Sequence, residues 1–476
     1  MGRSHRACLW SIPESRSETG GGIPQLRDAI MLQFVHTPNL RHLRMLQVVG
    51  KMGGVSSASR ELHASQSTVT QAIANLETQL GKRIFERHAT GSYPTATGRQ
   101  YLLHINRFFE ILDSSIAQVL GPIRNGQERN VPPVDRLFTG TQLRSLIATS
   151  DQRKTSDVAR RLGLTPTSLL RSARTLERAL GTSLFERSAQ GPTLNKTGIF
   201  LAREFRCAMR ELELARHETL PAAQASSLEL IVGTLPMSGS PQLAEATRRF
   251  MVSNPSVKVR IVSGEYHKLL ADLTASRIDM IFGSLRKPAG ANDINEEILF
   301  RDRYCVITRP GHPLTECEEV TPADLAHFQW VVPAIGTPRR TRIEAIFDGA
   351  QTRQDFHVET SSLAMSRALL LGSDSITLMT RAEAQCDLDL GVLSELHCPF
   401  LDDNLFKGVT TRSDWLPTQA HTAFLERLRE TTTRSGSDRD RIRLRAVGMA
   451  ARPYAYLRKD TRTRLHVYLI LVVLLV

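Results

Sequence analysis

The sequence predicts a multidomain protein in which two α-rich winged helix-turn-helix modules are followed by a two-lobed α/β domain. Three observations support this fold class. The chain has 476 residues, about three times a typical domain of ~150 residues. Residues 61–98 recur in modified form at 161–198. From residue 228 onward, short apolar strands alternate with helical segments, as in α/β domains.

The order of these segments defines the expected domains. They are a disordered extension (1–38), a first module with its following helix (39–120), a linker (121–137), a second module with its helix (138–221), the α/β domain (228–433) and a basic tail (434–476). The tail ends in a short apolar run at 465–476, below the ~20 residues that a membrane-spanning helix needs. The N-terminal region lacks the apolar core of a secretory signal. We therefore expect a cytoplasmic protein without a stable membrane span.

Charge is distributed unevenly along the chain. The formal net charge is +13, with +5 over residues 39–126, +6 over 127–226 and −6 over 227–433. A basic segment is the electrostatic signature of a protein that binds a polyanion. The two modules are therefore expected to bind the polyanion, while the acidic domain is left for a separate task.

The two copies of the repeat align without an insertion or a deletion. Agreement at so many spaced leucine, glycine and phenylalanine positions indicates duplication of one folded unit. The residues that recur at a spacing of one hundred are Leu62, Leu76, Glu77, Leu80, Gly81, Phe85, Glu86, Arg87, Gly91, Thr97 and Gly98.

The first copy has the spacing of short helices followed by a wing. Apolar residues recur at helical intervals over 43–49 and 69–80. The polar turn between them offers Ser65 or Ser67 as an N-cap, and the segment after Gly81 can form a wing. Small polar groups at the start of a helix can reach base edges in a major groove, and a cation on a wing can contact phosphate. The candidate DNA-contacting residues are Ser65, Gln66, Ser67, Thr68, Thr70, Gln71 and, on the wing, Arg87.

The run from Leu43 to Gly98 resembles the winged helix-turn-helix of LysR-type transcriptional regulators. The residues that carry the resemblance are Ala58, Leu62, Ser65, Gln66, Val69, Ile73, Leu76, Glu77, Leu80, Gly81, Ile84, Phe85, Arg87, Thr97 and Gly98. The resemblance implies that the stretch from Ser65 to Gln71 contacts double-stranded DNA. It also implies that the helix from Arg99 to Val119 dimerises, and an apolar stripe along this stretch is long enough for helix pairing.

The second copy differs from the first at the start of the helix that corresponds to the DNA-contacting helix of the first copy. Pro166 replaces the glutamine of the first copy, and Leu169 and Leu170 are expected to face outward. The arginines that keep this copy cationic are Arg160, Arg161, Arg171, Arg174 and Arg178. The second copy is either a degenerate module that pairs with or supports other parts of the protein, or a second DNA-binding module. We expect the first copy to supply sequence specificity and the second to supply charge or an oligomer contact.

The acidic half has the pattern of two α/β lobes joined by crossing strands. Strands are predicted at 228–233, 257–262, 278–282, 304–308, 330–332, 376–379 and 406–409, and helices at 242–252, 267–275, 362–371 and 418–431. The strand at 304–308 is expected to begin the crossover between the lobes. Ligands of such domains bind at the carboxyl ends of the strands, where helix N-termini offer N–H groups to an anion. The candidate effector-binding residues are Thr234, Ser238, Ser284, Gly336, Thr337, Ser361 and Ser362.

This half also resembles the effector-binding domain of LysR-type regulators, which is similar to type 2 periplasmic binding proteins. The resemblance implies a small-molecule effector between the lobes, with an anion among the candidates. The expected partners are thus double-stranded DNA, this effector and further copies of the chain in a dimer or tetramer, with RNA polymerase as a further candidate. The predicted function is that of an effector-responsive, sequence-specific transcriptional regulator.

Other classes of function receive less support. The sequence has no P-loop, no HExxH motif and no nucleophile elbow, so an enzyme is not expected. The cysteines are scattered without metal-ligand spacing, so neither a metal nor another cofactor is predicted. The alternative is a receptor-like solute-binding protein whose helix-turn-helix copies serve protein association.

Overall fold

The structure is a computed structural model that describes residues 39–88, 91–121, 133–150, 159–160, 163–188, 191–219, 228–235, 240–286, 292–348 and 356–434. The predicted N-terminal extension, most of the predicted linker, Arg161, Ser238 and the tail beyond residue 434 lie outside these ranges. Among the helices in the described ranges, none has the length and apolar character needed to cross a membrane.

The first module folds around the apolar stripe that its sequence predicts. Its elements are α1 (Leu40–Met52), α2 (Val55–Glu61), α3 (Gln66–Leu80), β1 (Phe85–His88), β2 (Gly91–Pro94) and α4 (Ala96–Leu120). Leu43, Val49 and Leu76 are all buried. The Asn39 side chain caps the start of α1, and Gly53 ends that helix in the left-handed region with φ of 70°. These local signals therefore agree with the helix boundaries.

In its described residues, the second module repeats the first helix, the third helix, the wing and the long following helix of the first module. Its elements are α5 (Val134–Leu137), α6 (Gly140–Ser150), α7 (Pro166–Leu180), β3 (Phe185–Ser188), β4 (Gly191–Leu194) and α8 (Lys196–Thr219). The two wings are antiparallel hairpins of equivalent register, with Phe85 opposite Pro94 and Phe185 opposite Leu194. Helix α5 lies within the predicted linker, and its Val134 is buried. This end of the predicted linker therefore packs against the modules.

The long helices α4 and α8 pack along each other. His104 near the start of α4 contacts Glu211 and Glu218 toward the end of α8, so the two helices run antiparallel. One apolar core continues through both modules, from Leu40 to Ala215. The helix that was expected to dimerise is thus paired with the equivalent helix of its own chain.

The α/β domain contains two lobes. Its elements are β5 (Glu229–Thr234), α9 (Ser240–Ser253), β6 (Lys258–Ser263), α10 (Tyr266–Thr274), β7 (Met280–Ser284), β8 (Ile294–Asp302), β9 (Tyr304–Thr308), a 3₁₀ turn (Pro313–Glu316), α11 (Pro322–Leu325), β10 (Val331–Val332), α12 (Pro338–Asp348), β11 (Val358–Glu359), α13 (Leu363–Gly372), β12 (Thr377–Thr380), α14 (Arg381–Asp389), β13 (Ser394–Leu396), β14 (Leu405–Arg412) and α15 (Gln419–Arg434).

Each lobe is built on its own sheet. The first has the strand order β6-β5-β7-β14-β8, with β5 parallel to β6 and β7 and with β14 antiparallel to its neighbours. The second has the order β12-β9-β13, and β10 and β11 form a parallel pair beside it. Phe250, Phe282 and Phe424 are buried in the first lobe, and Trp330 and Phe347 in the second. Strand β14 lies near the end of the domain in the sequence but pairs within the sheet of the first lobe.

Two features of this domain differ from the sequence prediction. The segment 304–308 is the central strand of the second sheet rather than the start of a crossover, because β12 and β13 pair with its two edges. Strands β8, β11 and β13 and helices α11, α12 and α14 were not predicted. Strand β8 and helix α12 are rich in charged residues, and β8 lies at a sheet edge, so neither shows a clear apolar period.

Candidate nucleic-acid interface and effector cleft

The turn before α3 is closed by Ser65. Its Oγ accepts a hydrogen bond from the Thr68 backbone N–H at 3.1 Å and lies 2.8 Å from the Ser67 hydroxyl. Such a side-chain cap satisfies one of the free N–H groups at a helix start. His63 has a positive φ of 51°, which turns the chain between α2 and α3. Of the two serines that the sequence predicts as N-caps, Ser65 is therefore the one that caps α3.

Helix α3 separates its polar and apolar side chains into two faces. The predicted DNA-contacting residues on the polar face are Ser65, Gln66, Ser67, Thr68 and Gln71, which are exposed, and Thr70, which is half-buried. On the other face, Val69, Ile73 and Leu76 are buried. Gln71 Nε2 donates to Asn75 Oδ1 at 2.9 Å. The first two turns of α3 thus present uncharged hydrogen-bonding groups to solvent.

Glu77 fixes the wing to the end of α3. Its Oε1 accepts hydrogen bonds from the backbone N–H groups of Ile84 at 2.7 Å and of Phe85 at 3.1 Å. Arg87 lies two residues farther along the same strand, opposite Ser92. The carboxylate therefore sets the position of the strand that carries Arg87 relative to α3.

The second module uses the same framework. Glu177 Oε1 accepts from the backbone N–H groups of Leu184 at 2.7 Å and Phe185 at 3.0 Å. In both modules a glycine near the start of the helix after the wing packs against the backbone of the wing. A Cβ added at Gly98 would lie 2.0 Å from the carbonyl oxygen of Ile84, and one added at Gly198 would lie 2.3 Å from that of Leu184. The recurring glutamate and glycine are therefore structural features of the duplicated fold.

The start of α7 corrects one sequence expectation. Leu169 does not face outward, because it occupies the core position of Val69 and is fully buried, and Leu170 is half-buried. Thr165 caps α7 through a hydrogen bond from the Ser168 backbone N–H at 3.1 Å. The second copy therefore keeps the cap and the buried core position at the start of this helix despite its altered sequence.

The exposed face of α7 is cationic. Arg171, Arg174 and Arg178 are all exposed, and their spacing places them on one side of the helix. The equivalent positions of the first copy hold Gln71, an alanine and a threonine. We call these three arginines the cationic strip. Helices α3 and α7 thus differ in charge although they share one framework.

The interface of α4 and α8 contains a buried ionic cluster. The Nδ1 atom of His104 lies 2.7 Å from the Glu211 carboxylate, and its Nε2 atom lies 3.4 Å from the Glu218 carboxylate. Burial by itself lowers the pKa of His104, but hydrogen bonds to the two carboxylates outweigh burial and raise that pKa to about 9. The imidazole is therefore protonated at neutral pH, with its Nδ1 hydrogen-bonded to Glu211 and its Nε2 in an ion pair with Glu218.

In the first lobe, the predicted effector-binding residues lie at the carboxyl ends of adjacent strands. Thr234 ends β5 and Ser284 ends β7, and the two strands are parallel neighbours. Both residues are half-buried. Ser238 belongs to the part of the chain that the structure does not describe.

The second lobe presents its candidates in a similar way. Gly336 and Thr337 follow β10, while Ser361 and Ser362 follow its parallel partner β11. The Thr337 hydroxyl accepts a backbone N–H at the start of α12, and the Ser362 hydroxyl accepts one at the start of α13, each at 3.3 Å. Two helix N-termini therefore meet this edge of the second lobe.

An ionic cluster that sequence reasoning missed lies between the lobes. Glu383 is buried, accepts from Arg339 Nη2 at 2.5 Å and lies 3.4 Å from Lys407 Nζ. Arg339 belongs to α12 of the second lobe, whereas Lys407 is a buried residue of β14 in the first sheet. These residues are far apart in the sequence and form no local motif, so only the tertiary fold brings them together.

A further cation comes from the first lobe. Arg286 follows β7, its backbone N–H donates to Glu296 at 2.9 Å, and its guanidinium lies 5.7 Å from the ring centre of Tyr266. Burial lowers the pKa of Arg286, and its charge interacts with Tyr304, Tyr266, Arg339 and Glu383. Cations from both lobes therefore lie near the junction.

Comparison with known proteins supports the duplication and the domain order. The profile of the LysR substrate binding domain matches residues 223–433. The profile of the bacterial regulatory helix-turn-helix protein, lysR family, matches twice, at residues 40–99 and 141–199. The HTH-type transcriptional regulator GalR of Pseudomonas putida is 30% identical over 403 residues, which cover 84% of this chain and 98% of that protein. PcaQ of Agrobacterium fabrum is 24% identical over 62% of this chain and 96% of its own length.

Solved structures of lower identity are also similar. A full-length OxyR variant from Pseudomonas aeruginosa has a TM-score of 0.45 and 19% identity, covering 61% of this chain and 93% of that one. CbnR complexed with its target DNA has a TM-score of 0.43 and 17% identity, covering 61% of this chain and 98% of that one. The profile matches and the extent of the similarity to GalR show that the chain belongs to the LysR-type transcriptional regulators, with helix-turn-helix DNA-binding modules and an effector-binding domain.

Proposed function

We propose that the first module reads base edges of double-stranded DNA with α3 and contacts a phosphate with Arg87 on the wing. The residues assigned to base and backbone contacts on α3 are Ser65, Gln66, Ser67, Thr68, Thr70 and Gln71. The observation that carries this proposal is the polar face of α3, which is exposed while Val69, Ile73 and Leu76 on the other face are buried. Hydroxyl and amide groups without charge suit hydrogen-bond readout rather than general attraction to DNA.

The test uses the full-length chain and DNA from the region upstream of its own gene. We expect footprinting to show a protected site, and we expect selection from random DNA to return a motif that matches it. The affinity should fall steeply between 50 and 200 mM salt, because basic side chains release counterions from phosphates. A chain that protects no site even at low salt contradicts the proposal.

We further propose that the effector is a small organic anion bound between the lobes. The assigned contacts are Thr234, Ser238, Ser284, Gly336, Thr337, Ser361 and Ser362. Support comes from the N-termini of α12 and α13 and from the positions of Arg286 and Arg339, since both features favour negative charge.

Thermal unfolding with a set of probes tests the effector proposal. Benzoate, succinate and citrate are compared with the uncharged methyl esters of the same acids. We expect at least one carboxylate to raise the unfolding temperature by preferential binding to the folded chain, and we expect its ester and the Arg286→Gln variant to show a smaller rise. An equal rise with the acid and its ester contradicts an anionic effector.

The regulator is inferred to act without catalysis, in the cytoplasm on the nucleoid. Effector binding closes the cleft and changes the angle or spacing of the readers, and this change is transmitted to RNA polymerase at the bound promoter. The receptor-like alternative requires modules that do not bind DNA, so the footprinting experiment decides between the two.

A further inference from the structure

We propose that helices α3 and α7 of one chain bind DNA together as a preformed pair of different recognition helices. We also propose that the cluster of His104, Glu211 and Glu218 favours the packing of α4 on α8 of the same chain over the packing of α4 on α4, or of α8 on α8, from two chains. The inference rests on the DNA contacts proposed for α3. It goes beyond them by assigning a reader to α7 and a partner to α4 within the same chain.

The first argument is the antiparallel packing of α4 along α8. These helices follow the wings of the first and second modules, so packing one along the other couples the modules directly. The buried core of this region is continuous and includes Phe108 of α4 and Phe205 of α8. The apolar stripe of α4 is thus already covered by its own chain.

The second argument is the unequal sequence of the two helices at the ionic cluster. One hundred residues separate equivalent positions, so His104 corresponds to Glu204, and Glu211 corresponds to Ile111. If two first copies paired with the same geometry, His104 would face Ile111 and Gln118 in place of Glu211 and Glu218, and its protonated form would lose both of its anionic partners. If two second copies paired in this way, Glu211 would face Glu204, and two carboxylates would repel each other. A buried charge without its partner is strongly unfavourable, so only the unlike pairing satisfies the cluster.

The third argument is the surface of α7. Its capped start and its wing anchor repeat those of α3, so the helix is held in the manner of a reader. The cationic strip suits DNA phosphates and the guanine edge, which arginine binds with two hydrogen bonds. One chain therefore carries two recognition helices, α3 with an uncharged polar face and α7 with a cationic face. Its binding site on DNA is expected to have two different halves.

The experiment asks whether both readers must belong to one chain. The first full-length variant carries Thr70→Ala and Gln71→Ala, and the second carries Arg171→Ala and Arg174→Ala. The two are co-expressed with different affinity tags, and mixed complexes are isolated by purification on both tags. Affinity is measured on the site that the wild-type chain selects from random DNA.

We expect each variant alone to bind at least tenfold more weakly than the wild type, and the mixed complex to remain as weak as the single variants. If the chains do not copurify, protection of both halves of the site by a single wild-type chain supports the same conclusion. A mixed complex that regains wild-type affinity overturns the pairing within one chain. If neither variant loses affinity, the proposed DNA contacts themselves are wrong, so the two kinds of failure are distinguishable.

A double variant tests the role of the ionic cluster. Ile111→Glu with Glu211→Ile moves the carboxylate opposite His104 from the second copy to the first. In this background the first copies of two different chains can satisfy His104 when they pair, so selection from random DNA by this double variant is expected to return a site with two like halves instead of the unlike halves selected by the wild type. His104→Gln removes only the charge and provides a second measurement with less risk to folding, and it is expected to select a mixture of like and unlike sites. Selection of the wild-type site with unlike halves in both backgrounds overturns the role of the cluster.

Discussion

Arg210 and Asp279 join the second module to the α/β domain through a buried ion pair. The Arg210 Nη2 atom lies 3.0 Å from both carboxylate oxygens of Asp279, and both residues are about 4% exposed. Asp279 also accepts the backbone N–H of Ile231 at 2.8 Å, and Arg210 contacts Glu213 at 2.8 Å. Burial raises the pKa of Asp279, but the arginine outweighs this effect and keeps that pKa well below its usual range. Helix α8 is therefore fixed to the first sheet of the effector domain.

This pair predicts an unequal response to substitution. Arg210→Leu leaves several carboxylates buried without their cation and is expected to reduce the free energy of unfolding by about 3–5 kcal/mol. Asp279→Asn should cost less, because Arg210 retains Glu213 as a partner. Chemical denaturation measures both, with Arg248→Leu on the exposed surface as the control. Equal losses for Arg210→Leu and the control would show that the pair is not structurally important.

Local sequence patterns predicted those parts of the molecule whose signals are themselves local. The buried spacing of Val69, Ile73 and Leu76 defined α3, and the small polar residues before it indicated a capped turn. Leu169 was misplaced because it was compared with the reader surface, although its equivalent in the first copy, Val69, is a core residue. Periodicity places a residue on a helix face, but it does not show which face another element covers.

The ionic clusters were not predicted because their members come from distant elements. His104 and Glu211 lie 107 residues apart and belong to different copies of the repeat. The apolar stripe of α4 indicated that another helix covers it, but a helix of a partner chain and a helix of the second copy fit this pattern equally well. Only the packing of α4 along α8 identifies the partner.

The wing anchor gives a second prediction. Glu77→Ala removes the acceptor of two backbone N–H groups, those of Ile84 and Phe85, and is expected to lower the free energy of unfolding by about 1–3 kcal/mol. Glu77→Gln keeps an acceptor oxygen and should recover most of this loss. The measurement is denaturation of both variants, together with their affinity for the selected DNA site. An alanine variant as stable as the glutamine variant would contradict the anchoring role.

The DNA contacts of the first module give a third prediction. Gln71→Ala should reduce discrimination between the selected site and random DNA by about 1–3 kcal/mol, because a base-edge hydrogen bond is lost. Arg87→Ala should weaken binding to both DNAs by similar factors, because phosphate contacts carry no sequence information. Salt titration separates the two effects, since only the arginine variant is expected to lower the slope of log affinity against log salt. An unchanged slope in that variant would show that Arg87 does not contact a phosphate.

The protonated His104 gives the last prediction, which concerns pH. The pKa of His104 is about 9 in the folded chain, above the value of ~6.5 for an unperturbed histidine in the unfolded chain. The folded state therefore binds this proton more tightly. Its stabilising effect is fully present below pH ~6.5 and is lost as the pH rises through about 9. A shift of this size corresponds to a loss of about 3 kcal/mol at most across that range.

The measurement compares urea unfolding of the wild type and of His104→Gln at pH 6 and at pH 9.5. Other groups that titrate in this range are present in both proteins, so their contribution cancels in the difference between the two pH dependences. We expect the wild type to lose more stability than the variant on going to high pH, because only the wild type gives up the proton shared with Glu211 and Glu218. The same loss in both proteins would mean that the imidazole is neutral at the α4 and α8 interface, and the pairing argument would then lose its buried charge.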